Sequence, residues 1–126
     1  MILLDTCGLL WLVSGSGDLS ASALGQIDSE PIVSVSAISA LEIGLRVRSG
    51  KLELPMPVGD WWEQAVAHHR LDVVAPDATI LIRSTELPPI HRDPADRIII
   101  ATALERRAAV VTSDRRFAEY GIETMR

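Results

Sequence analysis

Residues 91–114, HRDPADRIIIATALERRAAVVTSD, carry the strongest structural signals in the chain. Asp93 followed by Pro94 predicts a helix start, because aspartate caps free N–H groups and proline suits the first helical position. The apolar pattern that follows predicts a helix to about Arg107. The apolar run at residues 109–112 predicts a short buried strand. A helix that leads directly into a buried strand is typical of an α/β fold.

The rest of the chain shows the same alternation of short apolar runs and helical patterns. The predicted strands are residues 1–5, 32–35, 71–74, 109–112 and 122–125. The predicted helices are residues 6–13, 20–29, 37–48, 59–69, 78–86, 94–107 and 115–120, with Thr6, Ser36 and Asp77 as candidate caps. No repeat or linker interrupts the pattern, so we expect one α/β domain over residues 1–126.

Composition and charge narrow the class of protein. The chain is 48% hydrophobic and 23% charged, which is typical of a packed globular protein. The single cysteine, Cys7, excludes an intrachain disulfide, and we expect a cytoplasmic protein. The apolar start contains Asp5 and lacks the basic segment of a signal peptide. A net charge of −5 argues against non-specific coating of nucleic acid, but leaves room for a basic partner or a nuclease with bound metal.

Two aspartates follow apolar runs directly: Asp5 after residues 1–4 and Asp114 after residues 109–113. Ligands of open parallel sheets bind beyond the carboxyl ends of the strands. If the two strands are parallel neighbours, both carboxylates share one crevice. The alternative is that each aspartate only caps the helical segment that follows it.

Two further acids lie on predicted helices. Glu42 lies on or beside an apolar stripe formed by Ile38, Leu41 and Leu45; the alternatives are an exposed position at the edge of that stripe or a buried pair with an arginine. Asp96 begins the apolar stripe of the helix after Pro94 and is expected to point inward. The alternative for Asp96 is a favourable interaction with the helix dipole.

The four acids together indicate a divalent-cation site. Carboxylates crowded into one pocket repel each other, and their pKa values rise without a cation. A divalent ion such as Mg²⁺ removes that penalty, activates water and stabilises charge on a phosphate. The sequence therefore points to metal-assisted hydrolysis of a phosphate ester.

The chain resembles the PIN-domain ribonucleases, and in particular the VapC-type toxins of bacterial toxin–antitoxin pairs. The matching segments are MILLDT (1–6), SAISALEI (36–43), SGKL (49–52), LPPIH (87–91), HRDPADRIIIA (91–101) and VTSDR (111–115). Ala95 departs from the pattern, because phenylalanine is common there in this subgroup. The resemblance implies a three-layer α/β fold, with a central, mostly parallel sheet flanked by helices.

The resemblance also implies a Mg²⁺- or Mn²⁺-dependent endoribonuclease that hydrolyses a phosphodiester of cellular RNA. Its metal-binding and catalytic residues would be Asp5, Glu42, Asp96 and Asp114. It further implies a homodimer and a basic-tailed, VapB-like antitoxin, which would block the site by inserting an arginine or displacing the metal. The candidates for hydrogen bonds around the site or for RNA contact are Thr6, Ser36, Asp93, Arg97, Thr112, Ser113 and Arg115.

Several of these assignments have alternatives. The hydroxyl residues suit turns and caps as well, and Asp93 is expected to be mainly a helix cap. Arg97 and Arg115 either contact RNA phosphate or pair with a carboxylate. His91 is expected to be a loop residue without a catalytic role. Of the adjacent Trp61 and Trp62, one is expected in the core and the other at a dimer or antitoxin contact.

Two other functions compete with the nuclease. One is a non-catalytic binding module that works in an autoregulatory complex with a DNA-binding antitoxin. The other is a phosphohydrolase that forms an aspartyl phosphate, suggested by Asp5 after a strand. This second alternative is weak, because no aspartate stands two residues after Asp5, and Lys51 is the chain's only lysine.

Overall fold

The computed structural model describes residues 1–126 and contains one five-stranded sheet. The strands are β1 Ile2–Leu4, β2 Val33–Ser36, β3 Asp72–Val74, β4 Ala109–Val111 and β5 Thr124–Met125. Their order across the sheet is β3-β2-β1-β4-β5, and every neighbouring pair is parallel. The expected α/β fold with a mostly parallel sheet is confirmed, and the parallel pairing extends to the edge strand β5.

Six α-helices and one short 3₁₀ helix connect the strands. They are α1 Thr6–Ser14, α2 Ala21–Ser29, α3 Ile38–Arg48, α4 Val58–His68, α5 Ala78–Glu86, α6 Pro94–Arg106 and the 3₁₀ helix Arg115–Tyr120. Each predicted element is present, with ends that agree to within two residues. None of the helices combines the length and apolarity that crossing a membrane requires.

The central strand β1 divides the core into two parts. Leu3 points to one face of the sheet, where it packs with Ile99 and Phe117. Leu4 points to the other face, where the buried cluster includes Ile43 and Trp61. Side chains alternate across a strand, so β1 anchors helix α6 on one face and helices α3 and α4 on the other.

The register brings the carboxyl ends of three strands to one edge of the sheet. Leu4, the last residue of β1, pairs with Val35 of β2 and with Val111 of β4. The residues that follow β1 and β4 therefore begin at the same level. This edge is where parallel sheets bind ligands.

The cap of α1 differs from the prediction. Thr6 is the first residue of the helix, and the cap is Asp5, whose Oδ1 accepts a 2.6 Å hydrogen bond from the Gly8 N–H. At α3, Ala37 takes the cap position without a side-chain hydrogen bond, while Ser36 Oγ accepts from the Ile38 N–H at 3.2 Å. Thr6 was therefore wrong as a cap, and the alternative that Asp5 caps the segment after it is confirmed, because a hydroxyl and a neighbouring carboxylate offer equivalent acceptors. Ser36 lies one residue before the cap position of α3, although its hydroxyl accepts from the first turn.

The apolar stripe predicted for α3 does not face the core. Leu41 and Leu45 are 55% and 44% exposed, whereas Ser39 and Ile43 are fully buried. The buried side of α3 is therefore rotated away from the stripe and includes Ile43, in the core, and Ser39, which hydrogen-bonds to Thr6 just after β1. Glu42 is half-buried beside it.

Gly8 has no space for a side chain. A Cβ at this position would lie 2.8 Å from the Val111 carbonyl oxygen, and the backbone of β4 cannot move aside cheaply. We expect Gly8→Ala to lower the free energy of unfolding by about 2 kcal/mol through overpacking. Gly25→Ala in α2, where a Cβ meets no atom within 4 Å, is the control and should stabilise by about 0.5 kcal/mol. Equal urea midpoints for the two variants would contradict this close packing.

Candidate metal centre

The four predicted acids converge at the carboxyl edge of the sheet. Asp5 follows β1, Asp114 follows β4, Glu42 lies in α3 and Asp96 lies in the first turn of α6. Carboxylate oxygens of Glu42, Asp93 and Asp96 all lie within 4.8 Å of one another. Oxygens of Asp96 and Asp114 form a second such group with His91. Asp96 belongs to both groups and is therefore the centre of the cluster.

Asp5 is the most buried of the four, with 6% of its surface exposed. Burial raises the pKa of its carboxyl above the ordinary value of 3.8; hydrogen bonds from Thr112 and Gly8 lower it, and the charges of Glu42 and Asp114 raise it further. Thr112 Oγ1 also accepts a 3.0 Å hydrogen bond from the Asp114 N–H. Its hydroxyl thus links the two acids that follow β1 and β4.

Glu42 is held by a short chain of hydroxyl groups. Thr6 Oγ1 hydrogen-bonds to Glu42 Oε1, and it lies 2.9 Å from Ser39 Oγ. An ionised carboxylate only accepts, and a hydroxyl carries one proton, so Thr6 donates to Glu42 and accepts from Ser39. The buried Ser39 was not among the candidates from sequence, since nothing local marks a serine that supports a threonine 33 residues away.

Asp96 has the strongest rise in pKa. Burial is the main cause, followed by the negative charges of Glu42, Asp93, Asp5 and Asp114, and together they raise the pKa of its carboxyl to about 7. Asp93 caps α6 as predicted, because its Oδ1 accepts from the Asp96 N–H at 3.1 Å. The Asp93 carboxylate also contributes to the negative charge around Asp96.

Asp114 differs from the other acids because cationic and N–H donors surround it. Arg116 binds both of its oxygens, through Nε to Oδ1 at 3.0 Å and through Nη2 to Oδ2 at 2.8 Å. These hydrogen bonds, with a further one from His91, hold the pKa of Asp114 well below its usual range. Arg115, the arginine considered from sequence, is exposed. The arginine that pairs with Asp114 is Arg116 instead.

His91 lies between two of the acids. Its Nε2 is 2.9 Å from Asp114 Oδ2 and 3.2 Å from Asp96 Oδ2, and only 2% of its side chain is exposed. Sequence analysis placed His91 in a loop without a role. The loop is confirmed, but the contacts were missed because Asp114 is 23 residues away and no local pattern marks the pair.

Arg97 does not pair with a carboxylate, one of the two contacts considered from sequence. Its guanidinium donates to four backbone carbonyl oxygens that surround it, those of Ser84, Leu87, Pro88 and His91, at 2.7 to 3.0 Å. Arg97 therefore fixes the loop between α5 and α6 that contains His91. Of the remaining candidates, Ser36 serves the first turn of α3, and Ser113 is exposed.

The role of Arg97 leads to a stability prediction. We expect Arg97→Lys to lower the free energy of unfolding by about 2–3 kcal/mol, because one ammonium cannot satisfy four carbonyls spread around a planar guanidinium. Arg115→Lys, at an exposed position, is the matched control and should change stability by less than about 0.5 kcal/mol. Urea unfolding of both variants checks this, and equal midpoints would show that the loop does not depend on Arg97.

The donor set fits a hard divalent cation. All the clustered acids offer oxygen, the ligand that Mg²⁺ and Mn²⁺ prefer. The pKa values of Asp5 and Asp96 are raised mainly by burial and further by the negative charges of neighbouring acids, so the cluster holds buried negative charge that is not fully balanced. A bound cation would remove this imbalance.

A cavity lies elsewhere in the protein. It has a volume of about 820 Å³ and lies among α1, α2 and the end of α4, at the amino ends of β2 and β3. Its lining includes Leu12, Leu24 and His69 but none of the clustered acids. The chemical groups, and not the size of the cavity, therefore identify the functional edge of the sheet.

Comparison with known proteins identifies a family and a ribonuclease relative. The family model described as PIN domain matches residues 2–123. Ribonuclease VapC22 of Mycobacterium tuberculosis (strain ATCC 25618 / H37Rv) is 32% identical over 121 residues, which cover 94% of this chain and 91% of the relative.

Two solved structures share the fold. The crystal structure of FitAcB from Neisseria gonorrhoeae superposes with a TM-score of 0.66 at 22% identity, covering 100% of this chain and 97% of that one. A toxin–antitoxin complex from Klebsiella pneumoniae contains a chain with a TM-score of 0.64 at 22% identity, with coverage of 94% and 91%. At these identities the likeness concerns the fold alone.

Proposed function

The chain belongs to the PIN-domain family, and from this premise we propose that residues 1–126 form one PIN domain that acts as a metal-dependent endoribonuclease. The reaction is the hydrolysis of a phosphodiester in cellular RNA, with Mg²⁺ as the cofactor and Mn²⁺ as a substitute. In the cell, the protein is a toxin whose activity a cognate antitoxin inhibits.

One observation carries this proposal: four carboxylates from separate elements meet at the carboxyl edge of the sheet. The chain that places them there is 32% identical to a ribonuclease over nearly its full length. Structural acids that only cap helices do not need to gather in one place. Asp5 and Asp93 do act as caps, but their carboxylates also face the cluster.

We assign metal binding to Asp5, Glu42, Asp96 and Asp114. A divalent ion in this position lowers the pKa of water and offsets the charge that develops on the phosphate during hydrolysis. Asp5 and Asp96 are the acids that gain most from a cation, because their pKa values are raised in its absence. Asp114 keeps its negative charge independently through Arg116.

The surrounding residues orient these carboxylates. Thr6 directs Glu42, and Thr112 connects Asp5 with Asp114. Groups that fix the direction of ligating carboxylates commonly change metal affinity by ten- to a hundredfold. Arg116, whose guanidinium is half exposed beside Asp114, is available to contact a phosphate of the RNA.

The proposed partners are an antitoxin and a second copy of the chain. A net charge of −5 suits an antitoxin with a basic tail. Helices α3 and α5 expose four large apolar side chains, Leu41, Leu45, Leu81 and Ile82, which supports a protein contact on these helices. The Klebsiella pneumoniae relative in fold comes from a toxin–antitoxin complex, which agrees with this assignment.

The proposal is tested with purified, antitoxin-free protein and total cellular RNA. We expect discrete fragments in Mg²⁺ or Mn²⁺ and none in EDTA, and mapping the fragment ends identifies the target. Adding metal back to the EDTA sample should restore cleavage. Intact RNA in every lane, from protein that measurably binds Mn²⁺, would favour the non-catalytic binding module instead.

A further inference from the structure

We propose that His91 is a positioning residue of the acidic site, which holds Asp114 beside Asp96 through its Nε2–H and does not itself bind the metal. The inference rests on the proposed metal site and deepens it. It assigns a role to a residue for which the sequence suggested none. His91, Asp96 and Asp114 together look like a His-Asp-Asp metal site. The proposal gives His91 a different role from the two acids, because it orients a ligand and is not one.

The hydrogen bonds determine which ring nitrogen carries the proton. Nδ1 of His91 accepts a 3.2 Å hydrogen bond from the Asp93 N–H, so Nδ1 has no proton. The neutral ring then carries its proton on Nε2. The Nε2–H donates to Asp114 Oδ2 at 2.9 Å, and Asp96 Oδ2 lies beside Nε2 at 3.2 Å without forming a second hydrogen bond.

The same tautomer excludes Nε2 as a metal ligand. A ligating imidazole nitrogen must offer a lone pair, and that of Nε2 is used by its proton. Moving the proton to Nδ1 would free Nε2 but break the hydrogen bond from Asp93 and place two N–H groups against each other. Because Asp93 also caps α6, this rearrangement would disturb the helix that carries Asp96.

The ring is fixed on its other sides as well. His91 packs edge-to-face on Phe117, with ring centroids 5.9 Å apart. Its backbone N–H donates to the Tyr120 hydroxyl at 2.8 Å, and its carbonyl accepts from Arg97 at 2.9 Å. A buried ring with this many contacts has one orientation, so the direction of its Nε2–H is set before any ligand arrives.

This arrangement connects two acids that the chain places on different elements. Asp96 belongs to α6, and Asp114 precedes the 3₁₀ helix, so their separation would otherwise depend on packing between elements. Because Nε2 donates to Asp114 Oδ2 and lies 3.2 Å from Asp96 Oδ2, the fixed ring sets that separation. The remaining oxygens of Asp96 and Glu42 are left for the cation.

The first test observes the tautomer directly. The chain has three histidines, and His68 and His69 lie at the end of α4, so a His68→Gln/His69→Gln variant leaves His91 as the only histidine signal. We expect ¹⁵N NMR at pH 8 to show a protonated Nε2 and a bare Nδ1, both with EDTA and with saturating Mg²⁺. A proton on Nδ1 in the Mg²⁺ sample would overturn the proposal, because it is the signature of a ligating Nε2.

The second test compares two replacements of His91 by Mn²⁺ titration. His91→Leu removes the donor, and we expect it to weaken Mn²⁺ binding by about tenfold or more. His91→Gln puts an amide N–H near the position of Nε2, and we expect it to recover most of the affinity. Circular dichroism first verifies that both variants are folded. Wild-type affinity in the leucine variant, or equal losses in both, would refute a positioning role.

These outcomes are separate from those of the proposed function. The tautomer and the Mn²⁺ affinity are measured without RNA. Wild-type protein that binds Mn²⁺ but cuts no RNA would refute the nuclease and leave the role of His91 testable. Wild-type protein that cuts RNA while Mg²⁺ shifts the His91 proton to Nδ1 would refute the positioning role of His91 and leave the nuclease standing.

Discussion

Replacing Asp96 with asparagine is expected to slow RNA cleavage by about a thousandfold, because the several kcal/mol that a correctly held cation contributes to the transition state are lost. Asparagine has nearly the same shape but lacks the charge. Asp96 touches both groups of the acidic cluster, so its loss affects the site more than any other single change. Initial rates on a mapped RNA target, at saturating Mn²⁺, give the measurement.

The control for Asp96→Asn is Asp60→Asn, at an exposed position in the first turn of α4. It should keep the wild-type rate. Binding of the antitoxin should survive in the Asp96→Asn variant, since the charge at one site residue does not form the whole interface. A variant at Asp96 that still cleaves at the wild-type rate would exclude this acid from the mechanism.

The same substitution should stabilise the protein in EDTA. Folding raises the pKa of Asp96 from 3.8 to about 7, so the ionised carboxylate is less favourable in the folded than in the unfolded protein. Wild-type stability is therefore lost as the pH rises from about 4 to 7. At pH 8 we expect Asp96→Asn to raise the free energy of unfolding by about 1 kcal/mol. This value is discounted because the side chain is partly exposed.

The second large effect is expected at Asp5, which combines a cap with an acid. Asp5→Asn keeps an N-cap of similar quality, so we expect little change in stability but a loss of cleavage of about a hundredfold or more. Asp5→Ala removes both functions and should also lower the free energy of unfolding by about 1–2 kcal/mol. Paired cleavage and urea-unfolding measurements on the two variants separate the roles.

The result that would contradict this account of Asp5 is an asparagine variant with normal cleavage. Asp5 would then be a helix cap only, which is the alternative that its sequence position already allowed. Loss of cleavage in the alanine variant alone would have the same meaning, because a weakened α1 would explain it.

Much of the fold was predictable because its signals are local. The apolar runs at β1 and β4 are short and continuous, and each is followed by an acid. Parallel pairing of these strands then brings Asp5 and Asp114 to one edge, as the general rule for such sheets predicts. The start of α6 was equally local, since Asp93 and Pro94 mark it within two residues.

The support of the site was not predictable, because it consists of contacts between distant residues. His91 reaches Asp114 across 23 residues, and Thr6 reaches Glu42 across 36. The prediction that the apolar stripe of α3 faces the core was wrong for a related reason. Helical periodicity shows that Leu41 and Leu45 share a face, but the orientation of that face depends on tertiary packing.

The central claim is that these carboxylates hold the cation that drives RNA hydrolysis, and anomalous diffraction from Mn²⁺-soaked crystals tests it most directly. The account predicts a manganese peak within coordination distance of carboxylate oxygens from Asp96 and at least one of Asp5, Glu42 and Asp114, with His91 Nε2 outside the ligand set. A peak at another location, or no peak at Mn²⁺ concentrations that support cleavage, would contradict it.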